Sequence, residues 1–168
     1  MILIALGANL QSKIGGPRDT LEAAVRRMGE QGIEVVARSH WYRTSPVPAS
    51  DQPDFVNGVI AVRTGLGPHD LLAALHQIEA VLGRTRAQKW EARVLDLDLL
   101  AYNDKLILEE LQKDGQSIQI PHPRLHQRRF VLVPLAEIAP DWVHPALGER
   151  ARDLLAGLND ADVVEMLD

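Results

Sequence analysis

Two strand-like segments follow one another between two helix-like segments, and this order limits the fold more than any other feature of the chain. Residues 2–6 are a continuous apolar run that ends in a turn signal at residues 7–9, and residues 33–42 and 55–63 are rich in β-branched side chains. A further strand is predicted at residues 94–101. A doubly wound fold alternates strands with helices, and it is excluded because no helix lies between the strands at residues 33–42 and 55–63. We predict an α+β fold, a ferredoxin-like βαββαβ sandwich in which helices pack on one face of an antiparallel sheet, with extra C-terminal elements.

The two helices of this core have clear boundaries. Pro17 opens the first helix and Gly32 lies just beyond its end, while Pro68 opens the second helix and Gly83 ends it. One face of the second helix carries an apolar stripe, formed by Leu71, Leu75, Ile78 and Leu82. Both segments are therefore predicted to pack on the sheet.

The remaining segments give weaker signals. Residues 43–53 contain three prolines and are predicted to be a loop long enough to act as a lid. Residues 102–117 are polar and show no clear element, and residues 131–138 are predicted to be helical despite an internal proline. Residues 149–167 fit either a helix or a short hairpin on the outside of the core.

Composition narrows the class of protein. At 168 residues, with 46% hydrophobic and 24% charged residues, the chain is predicted to be one globular domain spanning residues 1–168. The absence of cysteine excludes disulfides, thiol nucleophiles and Cys-ligated metal sites. No apolar stretch approaches the roughly 18 residues of a membrane span, so a cytoplasmic protein without a membrane partner is expected. The net charge of −5 argues against a nucleic-acid partner.

Positive charge is nevertheless concentrated in two windows, residues 84–93 and 124–129. They hold seven of the eighteen basic residues, namely Arg84, Arg86, Lys89, Arg93, Arg124, Arg128 and Arg129. If folding brings the windows together, they form a cationic site suited to a small polyanion such as a nucleotide. The ordinary alternative is a solvated surface run.

Asp96 and Asp98 are the sharpest chemical signal. Two positions apart on a strand, their Cα atoms lie about 6.6 Å apart and their carboxylates share a face. Such carboxylates repel unless a cation lies between them, which favours a hard metal such as Mg²⁺, although a face turned to water is the simple alternative. Since neither common glycine-rich nucleotide loop is present, a polyphosphate would have to be held by side chains and metal.

Two aromatic residues beside the polar segments allow two interpretations. Phe55 and Phe130 are either core residues or the two walls of a slot for a flat heterocycle. Asn57 shares a strand face with Phe55 and carries both a donor and an acceptor for the edge of such a ring. His122, held between two prolines, is a candidate phosphate contact.

Taken together, these motifs resemble one family, the 6-hydroxymethyl-7,8-dihydropterin pyrophosphokinases, also called 2-amino-4-hydroxy-6-hydroxymethyldihydropteridine diphosphokinases. The matching motifs are Ala8-Asn9-Leu10, Tyr42-Arg43-Thr44, the segment 51–57, Gly83-Arg84-Thr85-Arg86, Trp90 with Arg93, Leu95-Asp96-Leu97-Asp98, Pro121-His122-Pro123-Arg124 and Arg128-Arg129-Phe130. The resemblance implies an ATP-dependent diphosphotransferase. This enzyme moves the β,γ-diphosphoryl group of ATP to the pterin hydroxymethyl oxygen and releases AMP, a step of tetrahydrofolate biosynthesis.

The resemblance also implies roles for individual residues. Asp96 and Asp98 would hold two Mg²⁺ ions, and no general base is assigned. The implied catalytic residues are Arg84, Arg93, Asp96 and Asp98. The implied ATP-binding residues are His76, Glu79, Arg84, Arg86, Trp90, Arg93, Leu99, His122 and Arg128. The implied pterin-binding residues are Thr44, Ser45, Val47, Phe55, Asn57 and Phe130.

Two rival classes stay open at this point. One is a non-enzymatic ferredoxin-like module that binds RNA or a small regulatory ligand, although RNA binders of this kind are usually basic and carry aromatics on their central strands. The other is a different two-metal transferase that uses the same aspartates with another acceptor. The expected partners are ATP and the pterin alone, and the chain is expected to be a monomer.

Overall fold

The computed structural model describes residues 1–83, 94–111 and 115–168. Its elements, in chain order, are β1 (Ile2–Ala8), α1 (Pro17–Glu30), β2 (Glu34–Arg38), β3 (Tyr42–Thr44), β4 (Phe55–Arg63), α2 (Pro68–Val81), β5 (Asp96–Tyr102), β6 (Ile107–Leu111), β7 (Ser117–Ile120), a 3₁₀ helix (Leu125–Gln127), α3 (Arg129–Ile138), α4 (Ala151–Ala156) and β8 (Val164–Met166). Up to β5, this is the predicted order of strands and helices.

The main sheet has the strand order β5-β1-β4-β3-β8, and β2 also pairs with β4. Its strand pairs are antiparallel, and β1 lies between β4 and β5. This central position explains why the sequence of β1 is continuously apolar, because both of its faces are buried. The ferredoxin-like prediction is confirmed for the βαββαβ core.

Helices cover both faces of this sheet. On one face Leu6 packs with Leu21 of α1 and Leu75 of α2 in a shared core. On the other face Leu3 packs in a second core with Leu132 of α3, and α4 contributes to the same core. The prediction of helices on one face of the sheet is right for α1 and α2, but it is incomplete. Both faces of the sheet are apolar and must be shielded from water, and α3 and α4 shield the second face.

Two boundaries differ from the predictions for a local reason. The strand predicted over residues 2–6 is longer than expected, because Gly7 and Ala8 belong to β1 and not to the predicted turn at residues 7–9. The strand predicted over residues 33–42 is interrupted between β2 and β3. There the backbone N–H of Val59 donates to the Ser39 hydroxyl oxygen over 3.0 Å, so a side chain replaces a strand partner.

The C-terminal part of the chain departs most from the sequence patterns. Residues 102–117 contain β6, which pairs with β7. The sequence pattern did not predict this strand, because Leu108 and Leu111 are exposed and the strand lacks the alternation of buried apolar and exposed polar residues. Residues 149–167 form both α4 and a strand, and β8 joins the main sheet beside β3 instead of making a separate hairpin. None of the described helices is long and apolar enough to cross a membrane.

Candidate active site

A row of directly paired residues crosses four strands of the sheet. Tyr42 pairs with Asn57, Asn57 pairs with Gly7, and Gly7 pairs with Asp96. Directly opposite residues of antiparallel strands share a face, and this face is the one that carries Leu3 under α3 and α4. Two strand spacings separate Asn57 from Asp96, which is about 10 Å. The register therefore places an amide and a carboxylate on one surface at the distance of a small ligand.

A charged cluster adjoins the carboxylate end of this row. The Asp98 Oδ2 atom lies 4.0 Å from Nε2 of His122 and 3.9 Å from Nη1 of Arg128. Asp98 shares the face of Asp96, and its side chain is 32% exposed. These distances exceed those of hydrogen bonds and are those of ion pairs, so the two basic side chains place their nitrogen atoms next to the Asp98 carboxylate.

The backbone around His122 sets the direction and the tautomer of its ring. The His122 N–H donates to the Leu100 carbonyl over 2.8 Å, and the Arg124 N–H donates to Nδ1 of His122 over 3.1 Å. With Nδ1 accepting, a neutral ring carries its hydrogen on Nε2, the atom that faces Asp98. Burial, followed by the nearby Arg128 charge, lowers the pKa of His122 to about 4. At neutral pH the ring is therefore an uncharged donor.

Arg128 connects the charged cluster to an aromatic ring. Its guanidinium carbon lies 5.5 Å from the ring centroid of Phe130, a cation–π geometry. Phe130 is half-buried and packs on the core beneath α3 and α4. Arg128 immediately precedes α3, so the start of this helix positions both side chains.

The amide end of the row is more tightly packed. The Nδ2 atom of Asn57 donates to the Thr44 hydroxyl oxygen over 2.6 Å, and both side chains are buried. Phe55 pairs with Thr44, is half-buried, and shares its strand face with Asn57. Of the loop residues after β3, Ser45 is half-buried and Val47 is exposed. Thr44, Phe55 and Asn57 are thus brought to one surface.

Comparison with known proteins shows the family to which the chain belongs. The family model of 7,8-dihydro-6-hydroxymethylpterin-pyrophosphokinase (HPPK) matches residues 3–140. The chain belongs to the HPPK family. It is 42% identical over 154 residues to the 2-amino-4-hydroxy-6-hydroxymethyldihydropteridine pyrophosphokinase of Synechocystis sp., covering 91% of this chain and 73% of that protein. It is 44% identical over 155 residues to the enzyme of the same name from Methylorubrum extorquens, covering 92% and 93%.

A solved structure supports the fold. The crystal structure of Plasmodium falciparum HPPK-DHPS with SDX-DHP matches with a TM-score of 0.75 at 16% identity. The match covers 92% of this chain but 43% of that one, so the chain spans less than half of that protein's length.

Family membership makes the protein a pyrophosphokinase of folate biosynthesis with ATP and a hydroxymethyl dihydropterin as substrates. The alternative of a non-enzymatic binding module is thereby set aside.

The opposite face of this HPPK-family sheet holds three residues predicted to bind ATP. Leu99 lies in the core under α1 and α2, so its side chain faces away from the two aspartates and only its backbone can approach ATP. Glu79 is 1% exposed and accepts the Leu97 N–H over 2.8 Å, which fastens α2 to the terminal strand of the sheet. His76 is half-buried on the same helix.

Several predicted contacts cannot be compared with the structure. Arg84, Arg86, Trp90 and Arg93 lie outside the described residues, so their implied roles stay predictions. Within residues 1–83, 94–111 and 115–168, no group of three or more His, Asp or Glu side chains could hold a metal ion. Two half-exposed carboxylates on one strand face still fit Mg²⁺, which binds proteins through one or two carboxylates and takes its other ligands from phosphate and water.

Sequence reasoning missed two residues of this HPPK surface. Asn9 is 3% exposed, and its Nδ2 atom donates to Oε1 of Gln52 over 3.1 Å and to the Pro53 carbonyl over 3.2 Å. It therefore ties the segment after β1 to the loop before β4. Gly7 was assigned to a turn, yet it lies between Asn57 and Asp96. A glycine at the end of an apolar strand, followed by Asn9, was the available signal.

Proposed function

We propose that diphosphoryl transfer takes place on the face of the sheet that carries Asn57, Gly7 and Asp96. One observation carries this assignment: the strand register puts a buried amide and a pair of carboxylates on the same face. The pterin would lie toward Asn57 and the ATP phosphates toward Asp96. Since about 10 Å separates these two residues, the pterin hydroxymethyl group would point along the row toward the phosphates.

At the β-phosphorus of ATP, the reaction forms one bond and breaks one bond. The hydroxymethyl oxygen attacks the β-phosphorus of ATP, and the bond from that phosphorus to the oxygen bridging it to the α-phosphorus breaks. AMP departs with the bridging oxygen, and the hydroxyl proton passes to solvent. Phosphoryl transfer depends mainly on alignment and neutralisation of charge, so the proposal assigns no general base.

The phosphate half of the site supplies charge. We assign Asp96 and Asp98 as ligands of two Mg²⁺ ions, which when bound would neutralise phosphate charge and hold the phosphates in line. The Nε2–H of neutral His122 would donate to a phosphate oxygen, and Arg128 would add a positive charge 3.9 Å from Asp98. Arg84 and Arg93 are proposed as further catalytic cations, with Arg86 and Trp90 closing over ATP.

The pterin half of the site supplies stacking and edge recognition. Phe55 and Phe130 would lie on the two sides of the ring, because Phe55 starts β4 and Phe130 lies in the first turn of α3, which covers the same face. With its Nδ2 bound to Thr44, Asn57 would offer Oδ1 to ring N–H groups. Ser45 and Val47 would contribute the backbone that borders the ring.

Three broader predictions accompany this assignment. We propose that residues 1–168 act as one unit, because β8 near the end of the chain pairs with β3 inside the main sheet. The monomeric state stays a prediction. So does the cytoplasmic location, since two plant relatives with 34% and 38% identity carry mitochondrial names.

The experiment is a product analysis with ATP, Mg²⁺ and 6-hydroxymethyl-7,8-dihydropterin, followed by chromatography of the nucleotides. AMP that forms only when the pterin is present is the expected result, and removal of the metal with EDTA should stop its formation. Formation of ADP would change the reaction but keep the nucleotide site. No nucleotide turnover with the pterin present would overturn the proposal.

A further inference from the structure

We infer that Gly7 positions the Asn57 amide and thereby determines how well the enzyme binds the pterin, without contributing to ATP binding. The inference rests on the proposed function, in which Asn57 reads the edge of the pterin ring. Gly7 lies in the centre of the site face, directly opposite Asn57 on one neighbouring strand and Asp96 on the other. It is thus the residue between the pterin half and the phosphate half.

The backbone does not explain why this position is a glycine. Gly7 lies within β1 and is paired on both sides, and its φ is outside the left-handed region that other residues avoid. An alanine would therefore fit the strand conformation, and a glycine within a strand weakens it. The reason for the glycine must lie in what its missing side chain would touch.

Among the residues that the structure describes, one side chain occupies that space. A Cβ atom on Gly7 would lie 2.5 Å from Oδ1 and 3.7 Å from Cγ of Asn57, well inside contact distance for the oxygen. The next neighbouring atom is the Val56 carbonyl oxygen at 4.0 Å, so no atom of Asp96 is closer than that. A methyl group at this position would push against the amide and leave the carboxylate in place.

Asn57 cannot move aside without loss. Its Nδ2 donates to the Thr44 hydroxyl oxygen over 2.6 Å, and the two side chains are 8% and 2% exposed. Turning the amide away from Gly7 would break this bond and leave buried polar atoms unsatisfied. A side chain at position 7 would therefore change both the position of Oδ1 and the hydrogen bond that holds it.

The test is a double-mutant cycle of Gly7→Ala, Asn57→Ala and the combined variant. Pterin affinity is measured by fluorescence titration in the presence of Mg²⁺ and a non-hydrolysable ATP analogue, and affinity for the analogue is measured separately. Gly29→Ala is the matched control, because a Cβ on Gly29 near the end of α1 meets nothing within 4 Å. Thermal unfolding of each variant reports on the fold.

We expect Gly7→Ala to weaken pterin binding about tenfold or more, as Asn57→Ala does, and to change analogue affinity less than about twofold. In the Asn57→Ala background the same substitution should add less than about twofold, because the group that it displaces is gone. Gly29→Ala should leave both affinities unchanged.

Each other outcome separates this inference from the proposal on which it rests. Normal pterin affinity in Asn57→Ala would overturn the pterin slot and the inference together. Two outcomes would overturn the inference alone, and in both of them Asn57→Ala weakens pterin binding. In the first, Gly7→Ala binds the pterin normally, and in the second, Gly7→Ala weakens pterin binding equally with and without the Asn57 side chain. If Gly7→Ala does not fold, folding of the double variant becomes the test, because Asn57→Ala removes the group that a Cβ at position 7 would displace. A double variant that also fails to fold would overturn the inference.

Discussion

The two halves of the proposed active-site face are built differently. In the pterin half, Asn57 and Thr44 are buried and joined by a hydrogen bond of 2.6 Å. In the phosphate half, Asp98 is 32% exposed and lies 3.9–4.0 Å from the nitrogen atoms of Arg128 and His122. Among the described contacts, the first half has a short hydrogen bond between buried side chains, whereas the second half has ion pairs at longer distance between partly exposed groups.

This difference matches the ligands proposed for each half. A neutral ring is recognised by shape and by a few fixed hydrogen bonds, so rigid groups lose less entropy when it binds. A polyphosphate brings charge and its own cations, and the protein groups around it balance charge that arrives with the ligand. Substitutions in the two halves should therefore have separable effects, and the following four predictions test that separation.

The largest effect is expected for Asp98→Ala. Removal of one carboxylate should reduce Mg²⁺-dependent AMP formation at least about 1000-fold, or about 4 kcal/mol in transition-state stabilisation, and Asp96→Ala should act alike. Pterin affinity and thermal stability should change little, since the carboxylate is partly exposed. The exposed Asp104 is the matched control through Asp104→Ala. Near-normal turnover in both site variants would contradict the metal assignment.

The next effect is a change in the free energy of unfolding with pH, measured on the protein without metal or nucleotide, and it depends on His122 in the phosphate half. The pKa of His122 is about 4 in the folded protein and about 6.5 in the unfolded chain, so the unfolded chain takes up the proton first as the pH falls. The contribution of His122 should lower the free energy of unfolding between pH 6.5 and pH 4 by at most about 3 kcal/mol. Denaturant unfolding across this range measures the decrease.

His122→Gln should remove the part of this pH dependence that His122 causes and leave the part caused by His144, whose pKa burial also lowers. The exposed His69 provides the control variant His69→Gln. An unchanged slope in His122→Gln would mean that another group causes the acid sensitivity. Neither substitution should alter pterin affinity if the two halves act separately.

A smaller effect is expected for Phe130→Ala. Loss of the ring should weaken pterin binding about 10- to 30-fold and binding of an ATP analogue less than about threefold, because we propose that the ring stacks on the pterin, whereas on the phosphate side it contacts Arg128. Titration of both ligands measures the difference, and Phe130→Leu keeps apolar volume without a ring. Equal losses for the two ligands would show that Phe130 acts as a core residue.

The smallest effect is expected at the outer edge of the pterin half. Arg43 on β3 forms an ion pair with Glu165 on β8, and both side chains are at least half exposed. Because solvent screens such pairs, Arg43→Gln and Glu165→Gln should each change pterin affinity less than about twofold. A larger loss in the same titration would mean that β8 holds Thr44 in position and that the pterin half extends to the C-terminal strand.

Local patterns in the sequence were sufficient for the core elements and for the placement of Asp96 and Asp98 on one strand face. Proline and glycine set the ends of α1 and α2, and the alternation of leucine with Asp96 and Asp98 put both carboxylates on one face. These features depend on neighbours a few positions apart, which a sequence pattern contains. The family motifs then predicted the reaction, and membership of the HPPK family confirmed it.

Only the tertiary structure decided which distant residues share a surface. The pairing of Gly7 with Asn57 and Asp96, the cover that α3 gives to the second face, and the contact of β8 with β3 join segments far apart in the chain. Strand register is set by packing of the whole sheet, and a slip of one residue would turn Gly7 to the opposite face. The sequence by itself thus determined the elements of the βαββαβ core and the candidate reactive groups, while packing between remote segments determined which of these groups share a face.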